Sequence, residues 1–198
     1  MSIPEVNFKT YLTTGSAGTG DASEAQNTPD DSLGKYASTT EVSATIGNLF
    51  ESYSPAQLTS STRYRCIALK MDHASANVVT PKLVAQFLPS LKSGMVASYG
   101  MMSRDLLSAS PVCTDTTAPA GITFFTPYNS VGDADLDFAN GRPIGPLNTD
   151  SDGSTDLTQD DTMVTFLYIR IVSTGASGTF TDGVDNLIGS ATSGIDSI

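Results

Sequence analysis

An all-β fold, an antiparallel β-sandwich or jelly roll with long loops, is what this sequence predicts, on three observations. Ser and Thr number 25 each in 198 residues, a composition that suits sheet faces and turns and competes with the backbone bonding of helices. Residues 63–71 and 162–174 alternate at period two, with Ile, Val, Tyr and Phe prominent, as strands do. The intervening segments are punctuated by 17 Gly and 10 Pro, beside clusters of Asn and Asp, which cut the chain into short strands joined by turns. Residues 1–198 are expected to form one domain, since this is an ordinary single-domain length and one that buries enough surface to fold without staples.

Taken in order, residues 3–12 read as a strand, with Val6 and Phe8 at period two. Residues 13–35 are nearly free of large apolar side chains and are expected to be a flexible segment, either a loop or an arm laid on a neighbour. Residues 38–50 carry a short strand around Val42 or one helical turn ending at Gly47, and 54–58 form a connector. In residues 63–71, Arg65, Ile67, Leu69 and Met71 face one way, and Tyr64, Cys66, Ala68 and Lys70 the other. A turn at 72–75 contains His73. Residues 77–88 continue extended, and Pro81 places a break at a sheet edge or bulge.

Beyond a turn at 90–94, residues 101–107 read as a short helix. Residues 110–121 are a Pro- and Thr-rich loop, and 122–126 a strand stopped by Pro127. Gly141-Arg142-Pro143 and Gly145-Pro146 are strong punctuation within 133–146, and 150–161 is an acidic turn region. Residues 162–174 place Val164, Phe166, Tyr168, Arg170 and Val172 on one face and Met163, Thr165, Leu167, Ile169 and Ile171 on the other. Two largely apolar faces predict a central strand, covered on both sides. A final strand is expected over 180–188, followed by a mobile tail at 189–198.

The formal charge of −11 and a pI near 4.2 argue against nucleic acid, whose affinity comes from Lys and Arg on phosphates, and against anionic membrane surfaces. The acidity keeps the chain soluble by mutual repulsion, and it offers a surface to a more basic partner. Cys66 and Cys113 are too few and too far apart for a disulfide framework, and both are expected as free thiols. Met1-Ser2-Ile3-Pro4-Glu5 lacks the basic start and apolar run of a signal peptide, and no stretch approaches the length of about 20 apolar residues that a membrane span needs. A soluble protein made in the cytoplasm is expected.

Catalytic patterns are weak. His73 is the one histidine, too little for a Ser-His-acid triad or, with two distant cysteines, a zinc site. Asp150, Asp152, Asp156 and Asp161 partly resemble a calcium loop, but Thr155 stands where the sharp turn needs Gly, and Asp161 is short for bidentate reach. Asp133, Asp135 and Asp137 alternate along one edge and could hold a cation. Acids abound for a glycosidase pair, yet the chain has no Trp to stack a sugar. Arg170 interrupts an apolar face and is expected either to meet a buried acid or to emerge near the strand end. No catalytic, cofactor-binding or metal residue is assigned, and no cofactor is expected.

Thr40-Glu41 precedes Asn48-Leu49-Phe50, then Tyr64-Arg65-Cys66-Ile67 and the turn His73-Ala74. Further on, Ile122-Thr123-Phe124 and a Pro loop lead to Tyr168-Ile169-Arg170 and Thr181-Asp182-Gly183-Val184. In this order the segments resemble a family of virion structural proteins of tailed bacteriophages, of about this length. The resemblance implies a non-enzymatic virion protein, made in the host cytoplasm, where thiols stay reduced. Within that class, the acidic, Ser/Thr-rich surface and arms that order on binding suit a capsid decoration or cement protein on the outer shell. Its partners would be copies of itself, as a small homo-oligomer, a trimer, and the major capsid protein or another virion protein, with no nucleic acid and no membrane. Residues 13–35 and 189–198 are the arms expected to order on binding, and deleting 13–35 is expected to leave the domain folded. A tail, neck or baseplate component is the alternative role, and a carbohydrate-binding host-attachment domain the second alternative.

Overall fold

A computed structural model describes residues 8–15, 25–26, 28–42, 49–50, 62–71, 82–83, 95–105, 108–125, 142–143 and 163–173. The strands are β1 (Phe8–Thr14), β2 (Tyr36–Glu41), β3 (Arg63–Met71), β4 (Lys82–Leu83), β5 (Met95–Asp105), β6 (Arg142–Pro143) and β7 (Met163–Ser173). Five of them form one antiparallel sheet in the order β2-β1-β3-β7-β5, while β4 and β6 pair as a separate two-stranded ribbon. A three-residue 3-10 turn, Pro29–Asp31, is the helical element among the described residues.

Three strands of the sheet, β1, β3 and β7, are flanked on both sides. β7 pairs with β5 along its whole length, from Met95↔Ser173 to Asp105↔Met163, and with β3 from Arg63↔Ile171 to Leu69↔Thr165. The sequence dictates this position. With β-branched or aromatic residues on both faces, β7 loses least by having neither face in water. Val164, Thr165, Phe166, Tyr168 and Ile171 are all fully buried. Burial of Phe166 alone is worth about 2–3 kcal/mol. Thr165 is tolerated there because its hydroxyl meets that of Ser103, its cross-strand partner, at 3.0 Å.

Directly paired residues of an antiparallel sheet share a face. One face carries Tyr64, Cys66 and Ala68 with Phe166, Tyr168 and Val164, and it is covered by irregular chain that contributes Leu33, Cys113, Ile122 and Phe124. The other face carries Leu12, Ile67, Leu69, Ile169, Ile171, Ala97 and Tyr99, all buried, with Arg65 among them and Leu49 and Phe50 packed nearby. Among the described residues the cover is loop, not a second face-to-face sheet. Antiparallel all-β architecture therefore holds as a class.

Two glycines make the cover fit. Gly34 bridges Val112 at φ +102°, and a Cβ there would lie 2.5 Å from the Pro111 carbonyl oxygen. On β5, a Cβ at Gly100 would collide with Ile122 Cγ2 and stand 2.8 Å from the Thr123 carbonyl oxygen. Gly34 lets the two cover segments meet, and Gly100 lets the loop lie directly on β5.

Three expectations need correction. Residues 101–105 are not helical: they complete β5, because β7 offers a full-length hydrogen-bonding edge that outweighs the modest helix preference of Met and Arg. In the segment 13–35, the described residues belong to the domain and not to a flexible arm. Thr13 and Thr14 end β1, and the hydroxyl of Ser32, fully buried, accepts from the Thr13 N–H at 2.7 Å and donates to the Cys66 carbonyl. The strand expected over 122–126 shrinks to a single bridge, Tyr99↔Phe125. The strand near Val42 lies just before it, as β2. The segments 54–58, 72–75, 133–137, 150–161 and 180–198 lie outside the described residues.

Candidate functional site

Three clusters concentrate the chemistry of the described residues. The first lies under the loop cover. Cys66 stands mid-strand opposite Tyr168, its N–H donating to the Ser32 carbonyl at 2.7 Å, while the neighbouring Leu33 carbonyl accepts from the Cys113 N–H at 2.9 Å. The Cys113 thiol also donates to Leu33 O, at 3.2 Å, and the Tyr168 hydroxyl donates to Pro111 O at 2.6 Å. Both cysteines are free thiols and buried.

Burial pushes the Cys66 thiol well up, and the nearby Cys113 adds to the rise, although a hydrogen bond with Tyr168 opposes it. Cys113 is raised to about 11, again by burial, with the Arg65 charge pulling the other way. The Tyr168 phenol is raised too, by burial first and then by the thiol of Cys66. At neutral pH all three are protonated. Since the thiolate is the nucleophile, neither cysteine is poised for attack.

The second cluster is an arginine–aspartate clamp at the start of β3. Arg63 and Arg65 share a strand face, and Asp115, from the loop opposite, gives one carboxylate oxygen to each: 2.7 Å from Arg65 Nη1 and 3.3 Å from Arg63 Nη1. Arg65 is fully buried; its Nε donates to Leu49 O and its Nη1 to Tyr64 O, both at 2.7 Å, and its guanidinium lies over the Phe50 ring at 5.2 Å. The Asp115 carbonyl accepts from the Tyr64 N–H at 3.0 Å. Locally, the Thr114 hydroxyl accepts from the N–H groups of Thr116 and Thr117, a side-chain turn that holds Asp115 toward the strand. A buried guanidinium satisfied by two carbonyls and a carboxylate is a structural anchor.

The third is Arg170. Its Nε donates to Ser98 Oγ at 2.6 Å, and its guanidinium stacks over Phe124 at 4.8 Å. Tyr64 packs on the same ring, centroids 5.7 Å apart. Of the two expectations for Arg170, the buried acid is not found among the described residues: a hydroxyl and an aromatic face meet it there, and the side chain is half-buried.

His73 and the two aspartate runs considered for cations lie outside the described residues. Among the described residues no three His, Cys, Asp or Glu side chains gather into a metal-sized group, and no helix is long and apolar enough to cross a membrane. Sequence reasoning missed Asp115, whose partners are about fifty positions away. The only local signal was the pair Arg63 and Arg65 on one strand face. Comparison with known protein families, with curated proteins and with solved structures found no match.

Proposed function

We propose that this chain is a non-enzymatic structural protein of a tailed-bacteriophage virion, and that its most favoured role is capsid decoration as a small homo-oligomer on the outer shell. The observation that carries the reading, beside the ordered segments that resemble that family, is how the sheet spends its reactive groups. Cys66, Cys113 and Tyr168 are protonated and buried under loop, and Asp115 is consumed by two arginines. Tyr168 and Asp115 hold cover to sheet, the Cys113 thiol bonds within the cover, and the Cys66 thiol bonds its own strand. That suits a scaffold whose work is done by its outer surface. An acidic exterior keeps the free subunit soluble before assembly and allows shallow, distributed contacts afterwards.

Quantitative mass spectrometry of purified particles tests the role. A decoration protein is expected in numbers comparable to the major shell subunit. A copy number of a few per particle points to tail, neck or baseplate, and absence from particles overturns the virion reading.

A further inference from the structure

On one face of β5 and β7, four side chains come together beside Phe124 of the loop cover. Val96 pairs directly with Val172, and Ser98 with Arg170, so the four share one face. Val96 is 44% exposed, one of two large apolar side chains so placed among the described residues. Val172, Arg170 and Phe124 beside them are half-buried. Arg170 is fixed from below by Ser98 and Phe124, and no carboxylate of the described residues reaches it. An oriented arginine on an aromatic ring, rimmed by valines, has the composition of a binding hot spot rather than of ordinary solvent-facing sheet.

We propose that this Val96–Val172–Arg170–Phe124 face docks a second copy of this chain, with Arg170 receiving a carboxylate from the partner copy. Charge complementarity selects the occupant. The face presents a cation, while the chain carries 21 acidic against 10 basic residues. A nucleic acid or an anionic lipid would meet that excess of negative charge across the rest of the surface. The sequence also contains a segment that matches the face in kind, Asp133-Ala134-Asp135-Leu136-Asp137-Phe138, where acids for an arginine alternate with apolar groups for valines. The proposal rests on the homo-oligomer reading above and deepens it by naming the surface.

Sedimentation of the full chain over a concentration series tests it. Wild type is expected to self-associate, less strongly as salt rises. R170D and V96K are each expected to weaken association by about tenfold or more, and V96K, at an exposed position, keeps the far-UV spectrum of the wild type. Mixing R170D with D135R/D137R, each weakened alone, is expected to restore assembly, because the reversed charges meet across the interface. If wild type assembles and both R170D and V96K assemble equally well, this face is overturned and the oligomeric reading stands. If wild type is monomeric throughout, self-association itself is overturned, while copy number in particles still decides the virion role.

Discussion

At the scale of single residues, Asp115 shows how much of this fold depends on one side chain. It closes the loop onto β3 through three separate atoms, two carboxylate oxygens and a carbonyl. Its value is best judged by what its loss removes: the Arg65 guanidinium, fully buried, would keep its two carbonyl partners but lose the Asp115 carboxylate at 2.7 Å. Removing one member of a buried ion pair costs about 3–5 kcal/mol. Asp115 is partly open to water, with 38% of its side chain exposed, so screening reduces that figure. Asp115→Asn is expected to destabilise by about 2 kcal/mol, read as a lower midpoint in urea unfolding with an unchanged slope. Lys9→Ala gives the comparison. Its bond to Glu41, 3.6 Å long with the Lys9 side chain 31% and the Glu41 side chain 52% exposed, should contribute less than about 1 kcal/mol.

At the scale of elements, β5 is the strand whose environment decided its structure. Its run Met101-Met102-Ser103-Arg104-Asp105 has ordinary helix formers and no period-two alternation of large apolar groups, so local reading favours a short helix. Eleven register pairs with β7 outweigh that preference. β7 was legible for the opposite reason, because β-branched and aromatic residues on both faces state strand and burial together. The faces of β3 were equally legible, since period two alone assigns them. The cover was not. Nothing local in residues 28–35 and 108–125 announces that Ser32, Leu33 and Cys113 sit on a sheet, for their partners are far away in sequence. Nor did Gly100 look unusual, although it is where the cover comes closest. Gly100→Ala is expected to cost about 1–3 kcal/mol by forcing Ile122 and the Thr123 backbone off β5. Paired with Gly15→Ala, where nothing lies within 4 Å of the added carbon, the comparison by thermal unfolding isolates crowding from glycine entropy. A Gly100→Ala variant as stable as wild type would mean that the loop does not lie on the strand.

At the scale of the whole molecule, charge and burial are divided unevenly along the chain. Of the ten basic residues only Lys92 lies outside the described residues, whereas the described acids are Asp30, Asp31, Glu41, Asp105 and Asp115. The sheet and its cover are therefore locally cationic within an acidic protein. Their own titratable core groups, Cys66, Cys113 and Tyr168, are all raised, which fixes the sign of the alkaline response. Above the ordinary thiol value of 9.0 the unfolded chain gives up protons that the folded chain retains, so the native state binds more protons and stability falls as pH rises. For Cys113 the window closes near its folded value of about 11, and at about 1.4 kcal/mol per pH unit the loss is on the order of 2–3 kcal/mol. Below pH 9 these three groups contribute no slope. The comparison is between variants. Cys113→Ala is expected to be less stable than wild type at pH 8 but to lose stability less steeply from pH 9 to 11, and Tyr168→Phe should flatten the curve mainly above pH 10. In the same range, the native thiols are expected to stay closed to a disulfide reagent until unfolding exposes them. Equal alkaline slopes in wild type and Cys113→Ala would show that this thiol is not held protonated by the fold, and with it would go the argument that the sheet's reactive groups serve structure.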